Sequence, residues 1–148
     1  MLRSPRCAFA RLCCAFLVTW LLSTSTAIAQ TDVPAGVIVD LHWRANESPF
    51  QITEDVVVPA GATLTIDPGV TVQLGEGVTL HVDGTLHAEG SAAKPIAFTK
   101  LTLSPWLSIE LGAESTGIIR HARFNTAVAA IRSYSPSLTL EDLSLIHI

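Results

Sequence analysis

The densest group of chemically capable side chains is a pair of short motifs near the middle of the chain. His81 and Asp83 form the first motif, and His87 and Glu89 form the second. Imidazole and carboxylate groups are common ligands of transition metals. No third histidine lies at the short spacing that a structural zinc site uses. A metal site would therefore require the fold to bring the two motifs together.

The neighbouring residues argue against that convergence. Apolar residues occupy the alternate positions Leu80, Val82, Leu86 and Ala88. Successive side chains of a β-strand point to opposite faces. The apolar set is therefore expected to face the interior, and the His, Asp and Glu side chains of the two motifs are expected to face solvent. Gly84 also places a corner between the motifs. We interpret them as a solvated surface and predict no metal-binding residues.

A second candidate is a carboxylate pair, Asp67 and Glu89, which follow two similar segments of the chain. If the strands stack, the two backbones would be about 4.8 Å apart. Paired carboxylates can act as general acid and base or hold calcium. Each of these residues adjoins a turn, where acidic side chains commonly serve the turn geometry. We therefore interpret both as turn residues.

The remaining candidates predict no catalytic and no cofactor-binding residue. No serine lies in a Gly-x-Ser-x-Gly elbow, and the Gly-Glu-Gly segment 75–77 lacks the lysine of a phosphate loop. Trp43 and Phe50 precede the first coil and are expected to cover its open end rather than stack on sugars. For Trp106 the sequence does not decide between a role in the core and a role in stacking on sugars. The residues present favour a protein that is not an enzyme.

The segment 1–29 has the order of a secretory signal peptide. Three arginines form a basic start, the segment 12–22 is almost wholly apolar, and Ala27 and Ala29 supply the small residues that the peptidase requires. This apolar run is too short to cross about 30 Å of hydrocarbon as a membrane anchor. We expect cleavage after Ala29 and export to the periplasm, the cell surface or the medium, with no membrane span in the mature chain.

Removal of this leader changes the composition. Cys7, Cys13 and Cys14 leave with it, so the mature chain carries no disulfide. Three of the nine basic residues and none of the thirteen acidic ones precede Gln30, which leaves a net charge of −7. An acidic domain with scattered cations has no footprint for nucleic acid or anionic lipid.

From Val56 onward the dominant pattern is alternation of apolar and polar residues, with Gly, Pro or Asp at every break. This is the period of short strands joined by turns. A 22-residue shift places the segment 58–66 over 80–88, with Val58 on Leu80, Ala60 on Val82 and Leu64 on Leu86. Such a repeat favours a solenoid, in which stacked coils create a continuous core. A β-sandwich is the alternative, since its strands also alternate with turns.

Several segments together resemble the opening of bacterial exported right-handed parallel β-helix proteins, the pectin-lyase-like superfold. The motifs that carry the resemblance, in order, are Trp43, Ser-Pro-Phe at 48–50, Val-Val-Val-Pro-Ala-Gly at 56–61, Thr-Leu-Thr-Ile-Asp-Pro-Gly at 63–69, Gly-Thr-Leu-His-Ala at 84–88, Pro-Ile-Ala-Phe-Thr at 95–99 and Gly-Ile-Ile-Arg-His-Ala-Arg-Phe at 117–124. The resemblance implies the fold. It implies no activity, because such coils occur in adhesins, carbohydrate-active enzymes and passive surface modules alike.

These observations predict an all-β chain with four parts. Residues 1–29 are the signal peptide, 30–55 an N-terminal cap segment and 56–142 about three to four coils of a right-handed parallel β-helix. Residues 143–148 match the hexapeptide encoded by one frame of a common transposon-end sequencing adapter, so we expect them to be an artefact at a truncated end.

Three functions are compatible with this organisation. The first is an exported, non-catalytic structural or adhesive segment of a surface or secreted protein. The second is the N-terminal part of a carbohydrate-active β-helix enzyme, a polysaccharide lyase or hydrolase whose catalytic coils are missing. The third is a module that binds glycans or other cell-surface partners through one flank. No cofactor is expected in any of them.

The signal peptide gives the first testable prediction. Mass spectrometry of the exported protein should find a mature chain that begins at Gln30, because Ala27 and Ala29 fit the small −3 and −1 pockets of the peptidase. A chain that keeps Met1, or one with an acylated cysteine, would contradict it.

Overall fold

In the structure, a computed structural model, residues 30–39 and 41–146 are described, and they form sixteen strands and one 3-10 helix, Ala45–Glu47. The strands in chain order are β1 (Thr31–Val33), β2 (Gly36–Val37), β3 (Leu41–Trp43), β4 (Phe50–Ile52), β5 (Val56–Val58), β6 (Thr63–Ile66), β7 (Thr71–Leu74), β8 (Thr79–Val82), β9 (Thr85–Glu89), β10 (Ile96–Lys100), β11 (Ser108–Leu111), β12 (Thr116–Arg120), β13 (Ala122–Asn125), β14 (Ile131–Ser133), β15 (Ser137–Glu141) and β16 (Ser144–Ile146). The predicted signal peptide, residues 1–29, lies outside the described residues.

Successive strands contribute in turn to three sheets, so every third strand returns to the same sheet. Sheet A has the order β1-β4-β7-β10-β13-β16, sheet B has β2-β5-β8-β11-β14, and sheet C has β3-β6-β9-β12-β15. All the pairings are parallel. The chain is therefore a parallel β-solenoid, which confirms the predicted all-β solenoid class.

The solenoid has about five coils rather than the three to four predicted. The additional coil comes from residues 30–55, which we expected to form an N-terminal cap segment. They supply β1 to β4, and these strands pair with the following coil in all three sheets. At the other end β16 pairs with β13. This pairing does not test whether residues 143–148 are native, which stays a prediction.

The 22-residue register is right in one sheet and wrong in another. In sheet C, Leu64 pairs with Leu86 and Ile66 with Ala88, as predicted. In sheet B, Val58 pairs with Val82 rather than Leu80, whose partner is Val56. The reason is the corner between sheets B and C. This corner is longer after β5 than after β8, so the strands before it are offset by two positions.

Gly84 allows the short corner after β8 to fit against the longer corner after β5. The amides of Asp83 and Gly84 both donate to the carbonyl oxygen of Val58, at 2.8 and 3.2 Å. A Cβ atom on Gly84 would overlap the carbonyl oxygens of Pro59 and Ala62. The glycine is therefore required by the close approach of two backbones.

The core is a continuous column inside the three sheets. Leu64, Leu80 and Leu86 are fully buried, and each lies in register with apolar residues of neighbouring coils. Aromatic rings stack along the same column. Phe98 and Phe124 have ring centroids 5.0 Å apart and planes inclined by 7°. Each coil thus buries its apolar side chains against those above and below it.

The predicted assignment of inside and outside is confirmed. Leu80, Val82, Leu86 and Ala88 have no exposed surface. The polar residues between them, His81, Asp83, His87 and Glu89, are all partly or largely exposed.

This assignment gives a stability prediction. Changing Leu64 or Leu86 to Ala should lower the free energy of unfolding by about 2–5 kcal/mol, because each change leaves a cavity between packed coils. Changing the outward Thr65 or His87 to Ala should cost about 0.5 kcal/mol or less. Chemical denaturation of the four variants measures the difference. Equal losses in the two pairs would contradict the assignment.

Candidate binding surface

The structure separates the two motifs that could have formed a metal site. His81 lies on the outer face of sheet B, and His87 lies on the outer face of sheet C beyond the corner at Gly84. His81 Nδ1 is 3.5 Å from Glu110 Oε2, and His87 Nδ1 is 3.9 Å from Glu89 Oε1. Among residues 30–39 and 41–146, no group of three or more His, Cys, Asp or Glu side chains could hold a metal ion.

On sheet B outward ionisable side chains form a ladder across three coils. Glu110 lies between His81 and Arg132 in the strand register. Its Oε1 atom is 3.1 Å from Arg132 Nη1 and accepts a hydrogen bond from Ser108 Oγ at 3.0 Å. Opposite charges on adjacent strands attract one another, so this ladder supports the stacking of the coils.

Sheet C carries a second ladder with alternating signs. Arg120 lies between Glu89 on one neighbouring strand and Glu141 on the other. Its Nη1 atom is 3.4 Å from Glu89 Oε2, and its Nε atom is 2.8 Å from Glu141 Oε2. These side chains are 40–49% exposed, so each contact contributes a few tenths of a kcal/mol to about 1 kcal/mol.

The carboxylate pair of Asp67 and Glu89 is not arranged for acid–base chemistry. Asp67 Oδ1 is 2.6 Å from His42 Nε2 on the preceding coil. Glu89 faces Arg120 on the following coil. The two acids therefore have partners on opposite sides, and each links its own strand to a neighbouring coil.

The aromatic residues that could have stacked on sugars are buried. Trp43 and Phe50 are each 2% exposed, and their ring centroids are 5.1 Å apart. Trp106, whose role the sequence left open, is fully buried, and its indole Nε1 donates to the carbonyl oxygen of Asn125 at 2.9 Å. All three serve the core. Trp43 and Phe50 were expected to precede the first coil and cover its open end, but they lie on β3 and β4 within the solenoid, because residues 30–55 themselves form strands of the stack.

The outer face of sheet C carries two further rows of side chains beside its charged ladder. A hydroxyl row consists of the register partners Thr63, Thr85, Thr116 and Ser137, and a mixed row consists of Thr65, His87, Ile118 and Thr139. The hydroxyl oxygens of Thr85 and Thr116 are 3.0 Å apart and share a hydrogen bond. Parallel in-register stacking thus gathers hydroxyl groups from distant parts of the sequence.

Between these two rows lies a groove of about 260 Å³ that crosses three consecutive coils. The residues that line it are Thr85, Leu86, His87, Thr116, Gly117, Ile118, Ser137 and Thr139. We refer to it as the sheet C groove. None of its lining side chains is an acid, a lysine or an arginine, so its chemistry is that of hydroxyl groups, one imidazole and one aliphatic surface.

Sequence reasoning missed Arg120 and the groove because the 22-residue period does not extend past β9. The stretch of chain from Thr85 to its partner Thr116 is longer than one period, and the stretch from Thr116 to its partner Ser137 is slightly shorter. A different signal was present. Thr85, Thr116 and Ser137 are each followed four positions later by a charged residue, with signs that alternate from Glu89 to Glu141.

Comparison with known proteins gives one partial match. Over 90 residues, 60% of this chain, the sequence is 31% identical to "Protein bark beetle" of Drosophila melanogaster, and the aligned part spans 3% of that protein. The chain therefore corresponds to a small part of this relative. No protein family model matches the chain, and no solved structure matches it.

The described part of the chain has no helix that is long and apolar enough to cross a membrane.

The charged ladder of sheet C gives a third prediction. Changing Arg120 to Ala should lower the free energy of unfolding by about 0.5–1 kcal/mol, because it removes the cation between two acids. The loss should shrink in about 1 M salt, where surface charges are screened. Arg123 is the control, since it is exposed and has no ion-pair partner among residues 30–39 and 41–146. Thermal unfolding at low and high salt measures these losses of stability. An equal loss of stability for Arg123→Ala would contradict the role of the ladder.

Proposed function

We propose that this chain is a segment of an exported, non-catalytic structural or adhesive β-solenoid protein that is secreted or displayed at the cell surface. The observation that carries the proposal is the set of contacts that outward ionisable side chains make with neighbouring coils. Arg120 and Arg132 form ion pairs with acids on neighbouring coils, and the imidazoles of His42 and His81 contact carboxylates on neighbouring coils. They hold the stack together instead of meeting at one site.

Catalysis by acids and bases needs groups that converge on one reacting atom at hydrogen-bond distance. Here the paired charges run along the axis on separate sheets, as with Glu110 on sheet B and Arg120 on sheet C. Such a distribution suits a rigid rod whose flanks present side chains to a partner. Extended repeat surfaces of this kind commonly serve binding.

The leader predicted from the sequence supports export, and the partial likeness to a much longer protein supports a segment within a larger assembly of domains. Membership in the pectin-lyase-like superfold and a right-handed sense of the coils belong to the same proposal. The partners that we propose are glycans or other molecules of a cell surface.

The alternative is a carbohydrate-active enzyme whose catalytic coils lie elsewhere. It predicts clustered acids and cations on one face, as a polysaccharide lyase or hydrolase requires. In the residues that the structure describes, the nearest approach to such a cluster is Arg120 between Glu89 and Glu141, whose charges pair with one another, while Asp67 contacts His42 instead.

The proposal is tested by expressing the full chain beside a variant that lacks residues 2–29. The full chain should accumulate outside the cytoplasm, and the variant should remain inside, because export depends on the leader. The exported protein, incubated with polygalacturonate, xylan and cellulose, should release no reducing ends and no unsaturated products. Retention of the full chain in the cytoplasm, or shortening of any of these polymers, would overturn the proposal.

A further inference from the structure

We propose that the outer face of sheet A is a contact surface for a second copy of this chain, with the two solenoids antiparallel across a two-fold axis. The proposal is independent of export and adhesion, and it assigns the chain a partner. Its starting point is the pair of charges on this face. Asp32 on β1 and Arg123 on β13 are exposed, and neither has an ion-pair partner among residues 30–39 and 41–146.

Between these two side chains the outer face of sheet A carries no charge. The outward positions of β4, β7 and β10 hold five half-buried residues, Gln51, Thr71, Gln73, Ala97 and Thr99. Lys100, at the end of β10, is the register partner of the buried Leu74 and so belongs to the inward row. The middle strands of sheets B and C, by contrast, carry the outward charges of Glu110 and Arg120. Charged residues are depleted at the cores of protein interfaces, so sheet A offers the most suitable of the three faces.

The two charges are placed symmetrically about β7. Sheet A has the order β1-β4-β7-β10-β13 before its last strand, so β7 lies two strands from each charge. A two-fold axis that runs along β7 between two such faces brings β1 of one copy opposite β13 of the other. Asp32 then faces Arg123 of the second copy, and the symmetry forms the same contact a second time.

Along the strand direction the two charges are offset by a distance that an arginine side chain can cover. Through the intervening strands Asp32 is aligned with Thr99, whereas Arg123 is aligned with Ala97, two residues earlier. Two residues of a strand span about 7 Å, and packed sheets lie about 10 Å apart. The long side chain of Arg123 lies between the two faces and can extend along them to the carboxylate.

The centre of the face offers amide groups that can pair with copies of themselves. Gln51 Nε2 donates to Gln73 Oε1 at 2.8 Å, which leaves the amide nitrogen of Gln73 available as a donor. Because β7 lies along the proposed axis, Gln73 faces Gln73 of the second copy, and Thr71 faces Thr71. An amide carries both donors and an acceptor, so two identical glutamines are complementary.

The size of the face predicts a weak dimer. Five strands span about 19 Å along the solenoid, and a strand of four residues is about 13 Å long. This footprint is smaller than the roughly 800 Å² per partner that a stable interface buries, so we expect a dissociation constant of about 0.1 mM.

Charge reversal tests the pairing of Asp32 with Arg123. Sedimentation equilibrium of the exported protein, at concentrations on both sides of the expected dissociation constant, measures self-association. Asp32→Arg and Arg123→Asp should each weaken it at least about tenfold, because each places like charges opposite one another. The double variant should return to within about threefold of the parent, since opposite charges face each other again. Glu114→Arg, at an exposed acid between β11 and β12, is the control and should leave association unchanged.

A cysteine near the axis tests the symmetry itself. The mature chain has no cysteine on the predicted cleavage, so an introduced thiol can pair only with its copy. Thr71→Cys should form a disulfide-linked dimer in air, because the axis brings the two thiols together. Thr65→Cys is the matched control, since Thr65 is also a half-buried, outward threonine but lies on sheet C. Electrophoresis without reductant measures the fraction of linked dimer.

The inference is overturned if the parent stays monomeric over the whole concentration range, if the double reversal fails to restore association, or if Thr65→Cys links as fast as Thr71→Cys. Melting temperatures show whether each variant is folded. If a reversal lowers the melting temperature, Asp32→Asn and Arg123→Gln take its place and should each still weaken association. None of these results bears on the exported, non-catalytic role, which fails on retention in the cytoplasm or on shortening of a polymer.

Discussion

The in-register stacking of apolar side chains is the interaction on which the rest of this structure depends. A single coil has too few residues to enclose a core, so Leu64 is buried only because Leu86 and Leu41 lie in register on either side. The end of the column shows the same rule, because Leu140 and Leu145 are 44% and 70% exposed where no described strand follows theirs. Burial is therefore a property of neighbouring coils, as expected for a solenoid whose stability is a sum of nearest-neighbour contacts.

In-register stacking fixes the positions of the strands but not the lengths of the corners between them. Along sheet C the stretch of chain between register partners lengthens at Thr85 to Thr116 and shortens again at Thr116 to Ser137, yet the inward row stays apolar or small throughout. The extra residues are accommodated outside the strands, where added length costs little. The opposite limit is the corner at Gly84, where two backbones approach so closely that no side chain fits.

The same register also sets which side chains are neighbours on the outer surfaces, but the interactions between them are weaker than those in the core. Arg120 between two acids and Glu110 beside Arg132 place opposite charges on adjacent strands, and solvent screens each pair. Their arrangement spreads these groups over two sheets instead of one common site. What remains on sheet C is a strip of hydroxyl groups whose spacing is set by the backbone.

The sequence by itself determined the class of fold and the direction of most side chains between 56 and 98, because alternation and turn residues act locally. It also placed Leu64 over Leu86, since the intervening coil has the regular length. Only the tertiary structure decided which distant residues became neighbours. The offset of Val58 depends on a corner whose length changes from one coil to the next, and the pairing of Thr85 with Thr116 depends on an intervening coil that is longer than the one before it. Local patterns specify strands, but the register between coils is set by how much chain each corner absorbs, and this is known only when the coils are packed.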